Sequence, residues 1–197
     1  MAIVGVTPKL VERLLKVYPN TIAGMKDSSG DWNTTKTFLD AFAVQPRHAE
    51  GIREQAGESA IRPSRPGGEI KEEPTGSFDV FVGSESFLLA NMRNGGVGTI
   101  SATANVNPAA IHKLYAVASA VSADVDLEAQ QSKLNVVREV FSSRKFPSMI
   151  AALKQAIAIY ANDPEWARVR PPLVELTTKQ AKLLAAKLKA IGFAMEL

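Results

Sequence analysis

Residues 24–31 read Gly24-Met25-Lys26-Asp27-Ser28-Ser29-Gly30-Asp31, and a lysine lies in this stretch between two glycines. The run that leads into it, 21–26, is short, apolar and bounded by turn residues, which predicts a buried strand with a lysine at its carboxyl end. The serines and the glycine predict a turn. Asp31 is suited to cap a helix from Trp32 to about Phe42. The stretch therefore predicts a strand, a turn and a helix in succession.

Lys26 is the residue in this unit that bears on chemistry. If Ile22, Gly24 and Lys26 share one strand face, Lys26 points inward at the carboxyl edge of the sheet, where the active sites of α/β barrels are built. Apolar surroundings disfavour a charged amine, and a free lysine amine can attack a carbonyl to form a Schiff base. The alternative is a strand-end lysine paired with Asp27 in water. The residues alone leave both possibilities open.

The flanking sequence continues the alternation of strands and helices. A short β-type run at 2–6 opens the chain, and further strand-like runs lie at 78–83 and 97–102. Helices are predicted after Thr7-Pro8 and Asn107-Pro108, where a capping residue precedes proline, and over Phe87 to Met92. After the short opening run, three strands at 21–26, 78–83 and 97–102 alternate with three or four helices, which is the pattern of a parallel α/β sheet or barrel.

Residues 45–77 differ from the rest of the chain. This segment of 33 residues has four Pro, five Gly and six Glu, and it contains no Leu, Val, Phe, Tyr, Trp or Met. It offers little apolar surface to offset chain entropy, so a disordered insertion is predicted. The expected organisation is a first barrel segment at 1–43, the insertion at 44–77, the last two strands at 78–122 and a helical extension at 123–197.

The helical extension is predicted from three apolar stripes at helical spacing. The stripes are Leu134, Val137 and Phe141 on a helix from about 123 to 142; Ile150, Leu153, Ile157 and Tyr160 on a helix from near Pro147; and Ala181, Leu184, Leu188 and Ile191 on a third. Four lysines accompany the third stripe. A membrane-surface helix and a solvated face both fit them, and the solvated face is favoured.

Composition and charge place the chain among ordinary globular proteins. It has 197 residues, 46% of them apolar, and a net charge of 23 − 20 = +3, which is a thin excess for a nucleic-acid binder. Cys is absent, which excludes disulfides, thiolate zinc sites and a cysteine nucleophile. The amino-terminal sequence lacks the pattern of a secretory signal, and no stretch is apolar enough for a membrane span. We expect a cytoplasmic protein that binds neither nucleic acid nor membranes.

Three segments together resemble one enzyme family. Residues 24–31 resemble the Schiff-base lysine motif of the dihydrodipicolinate synthase / N-acetylneuraminate lyase family of class I pyruvate-dependent aldolases. Residues 82–85, Val-Gly-Ser-Glu, look like that family's seventh barrel strand and its loop. Residues 95–106, Gly-Gly-Val-Gly-Thr-Ile-Ser-Ala-Thr-Ala-Asn-Val, look like its eighth strand. The resemblance covers residues 1–42 and 78–197.

The resemblance implies a (β/α)8 barrel with a helical carboxyl-terminal extension. Lys26 would form an imine with pyruvate or another 2-oxo acid, and an aldehyde would be the second substrate. No metal or organic cofactor is implied, and family members are homo-oligomers, typically tetramers. The remaining implied site residues are Gly83, Ser84 and Glu85, which would shape the second-substrate pocket, and Ile100 and Ser101, which would lie beside the bound 2-oxo acid.

The chain also departs from the family pattern. Five strands precede the lysine strand in the family and carry a carboxylate-binding Thr-Thr turn and a proton-relaying Tyr, whereas about 25 residues precede Lys26 here. We therefore expect an amino-terminally truncated member with impaired activity. The alternative is a non-catalytic fragment that associates with another chain of the family. A third hypothesis is that residues 45–77 and the late start are artefacts of the gene model.

Two local patterns, the glycines at 95–98 and the two histidines, are not expected to form functional sites. The glycines at 95–98 lack both phosphate-loop spacings and precede a strand rather than open a helix, so a phosphate site is not expected. His112 is expected at the surface of a helix, and His48 lies in the predicted insertion. The second substrate stays open, although Glu85 suggests a polar, hydroxylated molecule.

Overall fold

The computed structural model describes residues 5–43, 78–120 and 126–195. Seven α-helices and three strands lie in these ranges. In chain order they are α1 Pro8–Val17, β1 Gly24–Asp27, α2 Trp32–Phe42, β2 Asp79–Val82, α3 Leu88–Arg93, β3 Gly98–Thr99, α4 Pro108–Ser119, α5 Leu127–Phe141, α6 Met149–Tyr160 and α7 Thr178–Ala190. Short 3₁₀ turns at Glu85–Phe87, Ala102–Asn105 and Pro164–Ala167 precede α3, α4 and the segment that leads to α7.

The three strands form one parallel sheet in the order β1-β2-β3. Lys26 lies opposite Phe81, and Phe81 lies opposite Gly98. All three strands run the same way, so the connections cross back through α2 and α3, as in βαβ units. The predicted parallel α/β arrangement is confirmed.

The two faces of this sheet have different surroundings. The side chains of Val80 and Val82 are completely buried, and Val80 packs with α1 and α2 through Val11, Phe38 and Leu39. Strand residues alternate between faces, so Lys26, Phe81 and Gly98 line the opposite face. Within the described ranges that face is open around Lys26, which is exposed, and Phe81 is half-buried, whereas Gly98 is buried and its open side lies near Tyr115 of α4.

The predicted helix starts are confirmed at three positions, and a side chain caps the helix at two of them. The Thr7 hydroxyl accepts a hydrogen bond from the Leu10 amide and Pro8 occupies the first helical position, while Asp31 caps α2. Asn107 precedes α4 as expected but makes no side-chain capping bond. Each cap satisfies backbone groups that would otherwise be unpaired at a helix end.

Other boundaries differ from the predictions. Gly5 and Val6 are not in a strand, and the remainder of the predicted 2–6 run lies outside the described residues. The helix predicted from about 123 begins at Leu127, because Asp126 accepts a hydrogen bond from the Ala129 amide and sets the start. The predicted insertion at 44–77 lies outside the described residues.

The carboxyl-terminal helices pack on one another through a core of their own. Phe141, Leu153, Leu184 and Leu188 are buried there together with Val106, which precedes α4. Most of the predicted stripes are confirmed.

Two stripe residues of the carboxyl-terminal helices were predicted wrongly. Ile150 and Ile191 are exposed. Ile150 lies in the first turn of α6, whose buried face is formed instead by Leu153 and small residues. Ile191 lies just past the end of α7. Alanines form much of the buried face of α6. A prediction based only on the large apolar side chains therefore placed this face incorrectly.

Surface features of the remaining helices agree with the sequence. His112 is exposed on α4, and three of the four lysines that accompany α7 (Lys179, Lys182 and Lys189) are exposed. Among the described residues, every helix is too short or too polar to cross a bilayer.

Candidate active site

The three sequence segments singled out above meet at one edge of the sheet. Lys26 lies near the carboxyl end of β1, Gly83 directly follows β2, and Ser101 follows β3 by two residues. Parallel strands end at the same edge, and in α/β folds this edge is where ligands bind. The predicted site residues therefore come together at the expected place.

Lys26 extends from the open face of the sheet. Its side chain is exposed and has no hydrogen-bond or ion-pair partner among the described residues. Apolar surroundings, which are one of the two possibilities left open by the sequence, are not found around Lys26 in these ranges, since its side chain is exposed. The alternative pairing with Asp27 is not found either, since successive strand residues point to opposite faces.

Asp27 instead organises the turn that follows β1. Its buried carboxylate accepts hydrogen bonds from the Ser29 amide at 2.9 Å, the Ser29 hydroxyl at 2.8 Å and the Thr35 hydroxyl at 2.5 Å. Gly30 adopts a left-handed φ of 73°, a conformation that favours glycine. Asp31 then caps α2. Four residues of the 24–31 motif thus build the turn, and Lys26 is left facing the open side.

Glycine is required where β2 ends. The Gly83 amide donates to the Asp27 carbonyl at 2.7 Å, and a Cβ at position 83 would lie 2.8 Å from that oxygen. The ends of β1 and β2 therefore approach more closely than a side chain would allow. Ser84, which is buried, follows and accepts a hydrogen bond from the Ser86 amide.

Glu85 is 1% exposed, and its carboxylate is enclosed by polar partners. The hydroxyls of Ser101 and Thr103 donate to its two oxygens, and Arg138 donates to Oε2 at 2.9 Å. The Gln131 side-chain amide donates to the Glu85 carbonyl at 2.9 Å. Both carboxylate oxygens are therefore engaged within the chain.

Ile100 lies at the rim of the open face. It is 49% exposed, and the alternation of strand side chains puts it on the same face as Gly98. Its amide donates to the Val82 carbonyl at 2.9 Å, which continues the β2–β3 ladder by one residue. Its predicted contact with a bound 2-oxo acid stays a prediction, as do the substrate contacts of Gly83, Ser84, Glu85 and Ser101.

Three members of this constellation were missed from the sequence: Thr103, Gln131 and Arg138. A signal for the last two exists in α5. Leu127, Gln131, Leu134, Arg138 and Phe141 recur at intervals of four, three, four and three, so they form one stripe. Two polar residues on a stripe that is otherwise apolar indicate inward-facing polar groups.

Comparison with known proteins shows which family the chain belongs to. The model of the "Dihydrodipicolinate synthetase family" matches residues 57–191. The chain belongs to this family. The match begins after Lys26, but relatives in the family align over nearly the whole chain.

Two curated relatives are similar to nearly the whole of this chain. An "Uncharacterized DapA-like lyase" of Chloroflexus aurantiacus is 24% identical over 95% of the chain and 50% of its own length. A 4-hydroxy-tetrahydrodipicolinate synthase of Methanopyrus kandleri is 26% identical over 96% of the chain and 50% of its own length. The chain thus spans about half the length of the curated relatives it matches.

A solved structure carries the same fold. YagE from E. coli K12, a prophage protein of the dihydrodipicolinic acid synthase family crystallised with pyruvate, superposes with a TM-score of 0.67 at 19% identity. The superposition covers 95% of this chain and 52% of YagE. The predicted fold class, three strands of a (β/α)8 barrel with a helical extension, is confirmed.

Proposed function

We propose that Lys26 forms a Schiff base with pyruvate or another 2-oxo acid, as part of an aldolase-type lyase site. One observation carries the proposal: in a chain of this family, an exposed lysine without a partner among the described residues stands at the carboxyl edge of the parallel sheet. An unpaired, accessible amine is what attack on a carbonyl requires.

The proposed reaction needs only the Lys26 amine, a 2-oxo acid, an aldehyde and water. The Lys26 amine adds to the 2-oxo carbonyl, and loss of water gives the imine. The protonated imine accepts the electron pair released when C3 loses a proton, which gives an enamine. The enamine carbon then bonds to the carbonyl carbon of an aldehyde, whose oxygen takes up a proton and so balances the proton lost from C3. Water hydrolyses the new imine to return the free amine. Cleavage of a C3–C4 bond is the same sequence in reverse.

The described residues supply only part of such a site. They contain three parallel strands, whereas a (β/α)8 barrel has eight. A carboxylate clamp and a proton relay for the imine are expected on other strands, and loss of general acid–base groups typically costs factors of about 10²–10⁴. We therefore expect the 197-residue chain, tested by itself, to form the imine far better than it completes the aldol step.

Trapping with borohydride tests the proposal. The chain is incubated with pyruvate and sodium borohydride in mildly alkaline buffer, and the adduct is located by peptide mass mapping. The expected result is an adduct on Lys26 in excess of that on other exposed lysines. Lys26→Arg removes it, while Lys36→Arg, at an exposed lysine bound to Asp40, leaves it in place. Labelling of Lys26 no greater than that of Lys36 contradicts the proposal.

Selection of the second substrate then falls mainly to Gly83, Ser84 and the groups on other strands. Both oxygens of Glu85 are taken by Ser101, Thr103 and Arg138, so this carboxylate is poorly placed to bind the hydroxyl groups of an aldehyde. This weakens the suggestion of a polar, hydroxylated second substrate that Glu85 alone raised.

A second candidate function is a non-catalytic chain that binds another chain of the family. The open sheet face favours it, because Ile100 is half exposed there and Phe81 is only half-buried. Within the described ranges, β1 and β3 each pair on one side only, and unpaired strand edges invite pairing with another chain.

Light scattering after size exclusion separates the two candidates when the chain is run alone and mixed with an intact homologue. Co-elution that is abolished by Ile100→Glu, but kept by Val174→Glu at an exposed position in the segment before α7, supports the binding function. A monomer that ignores the homologue and still traps pyruvate on Lys26 supports the lyase site.

A further inference from the structure

Two polar side chains of α5, Gln131 and Arg138, point into the protein rather than into water. Both lie on the helix stripe that also carries the buried Leu134 and Phe141. Gln131 is 8% exposed, and the Arg138 side chain is 24% exposed. Polar groups in such positions cost free energy unless they are hydrogen-bonded, so their partners show what the helix is fastened to.

Those partners lie in the segment that follows β2. Gln131 spans the 3₁₀ turn before α3, since its amide donates to the Glu85 carbonyl at 2.9 Å and its oxygen accepts from the Leu89 amide at 3.0 Å. Arg138 donates to Glu85 Oε2 at 2.9 Å. A helix of the carboxyl-terminal extension is thereby fixed to the edge of the sheet at three points.

Glu85 also bonds to the segment that follows β3, and so connects α5 to that segment. Its two carboxylate oxygens accept the Ser101 and Thr103 hydroxyls, and Arg138 also lies 3.5 Å from the Ser101 hydroxyl oxygen. Ser101 in turn accepts the Thr103 amide at 3.3 Å, which shapes the turn after β3. One buried carboxylate thus ties together the ends of two strands, and one arginine neutralises it.

The energetics give Arg138 a larger role than its exposure suggests. Removal of one partner of a buried ion pair is strongly destabilising, because a buried charge remains without compensation. The Ser101 and Thr103 hydroxyls do not neutralise the Glu85 charge. Among the described residues Arg138 is the only cation bonded to Glu85. If Arg138 is lost, the carboxylate gains by moving toward water, which would displace both attached turns.

We propose that Arg138 is a positioning residue of the candidate site. It acts through Glu85 to hold residues 83–86 and 101–103 at the carboxyl edge beside Lys26. The role in substrate binding rests on the function proposed above, whereas the effect on the two turns does not. This difference allows the two ideas to be tested separately.

Hydrogen exchange measures the positioning itself. In Arg138→Met, the amides of Ser86, Phe87 and Thr103, which donate within these turns, should exchange roughly ten- to hundredfold faster, as expected for loss of a hydrogen bond to a charged group. Amides of α7 should keep their rates. The control is Arg93→Met, which removes an Arg–Glu pair whose side chains are 53% and 69% exposed. Unchanged rates at the turns, or equal acceleration throughout the chain, overturn the proposal.

Pyruvate trapping on Lys26 measures the consequence for the site. Arg138→Met should raise the pyruvate concentration for half-maximal trapping by about tenfold or more, while Arg93→Met leaves it unchanged. Arg138→Lys, which keeps the charge, should restore much of the loss. If the parental chain traps pyruvate and Arg138→Met has the same concentration dependence, the role in binding is wrong.

Failure of the lyase proposal and failure of the positioning proposal give different results. If the parental chain fails to trap pyruvate on Lys26, the lyase proposal fails, and the exchange rates still decide whether Arg138 holds the turns. If Arg138→Met does not fold, Arg138→Lys and the double variant Glu85→Gln/Arg138→Met take its place. Arg138→Lys keeps the positive charge and the double variant buries no charge, so both should fold and exchange the Thr103 amide at close to the parental rate. Fast exchange at Thr103 in both variants, or failure of the double variant to fold, contradicts the proposal.

Discussion

The Gly83 amide donates a 2.7 Å hydrogen bond to the Asp27 carbonyl, at the point where β1 and β2 end. The contact is close because Gly83 has no side chain. A Cβ there would lie 2.8 Å from the carbonyl oxygen of Asp27 and 3.0 Å from the Cα of Ser28. The glycine of one sequence motif is therefore explained by its contact with the backbone of the other.

Gly83→Ala should destabilise the fold by about 1–3 kcal/mol, because overpacking forces backbone atoms apart. The free energy of unfolding in urea measures the effect. Gly5→Ala is the control, since a Cβ at Gly5 meets nothing within 4 Å. Equal stability of Gly83→Ala and the parental chain would show that the strand ends can separate without cost.

The turn after Lys26 should depend on the hydroxyl of Thr35. Thr35→Val keeps the shape of the side chain but removes the 2.5 Å hydrogen bond to the buried Asp27 carboxylate. We expect a loss of about 1.5–3 kcal/mol, the range for hydrogen bonds to charged groups. Thr37→Val is the matched control on the same helix, because the Thr37 hydroxyl bonds only to an exposed backbone carbonyl. If Thr35→Val and Thr37→Val lower the free energy of unfolding by similar amounts, the hydrogen bond from Thr35 to the Asp27 carboxylate has no particular importance for the turn.

Local sequence signals predicted the fold well where structure depends on neighbours in the chain. Thr7-Pro8 and Asp31 mark helix starts because capping bonds join residues two or three apart. The three strands were recognisable as short apolar runs. The start of α5 was predicted too early, because apolar periodicity does not show that Asp126 caps the helix.

The candidate site was predicted less completely, for a different physical reason. Lys26 and Gly83 belong to local motifs, but the partners of Glu85 come from α5, as far as 53 residues away. Such a contact leaves only an indirect trace, in Gln131 and Arg138 on an apolar stripe. The strand position of Lys26 left open whether its surroundings are apolar or aqueous, because that depends on elements distant in the sequence, and among the described residues its side chain is exposed.

Asn91 should be as important to the sheet as any apolar core residue. Its side chain is fully buried in α3, and Nδ2 donates at 3.0 Å to the carbonyls of both Val80 and Gly98, which joins β2 to β3. Asn91→Ala leaves two buried carbonyls without this donor and opens a cavity, so we expect a loss of about 2–5 kcal/mol. Unfolding in urea measures it, with Asn94→Ala, at an exposed asparagine one turn away, as the control. A loss below about 1 kcal/mol would mean that the strands hold together without Asn91.

Stability at alkaline pH should depend on Tyr160. Its hydroxyl donates to the Phe193 carbonyl at 2.6 Å, and burial raises the pKa of Tyr160 above its ordinary value of 10.0. The folded state therefore holds this proton more tightly than the unfolded state. The resulting stability is complete below about pH 10 and is lost as the pH rises through the folded pKa.

Tyr160→Phe isolates this contribution, since it removes the titrating group and the hydrogen bond but keeps the ring that packs on Phe193. The variant should be less stable by about 1 kcal/mol at pH 8, and its difference from the parental chain should shrink as the pH rises above about 10. Tyr18→Phe, at a tyrosine that is 53% exposed, should follow the parental curve throughout. A difference between Tyr160→Phe and the parental chain that stays constant above pH 10 would contradict the assignment, because a proton that the folded state holds more tightly than the unfolded state must reduce stability once it is lost.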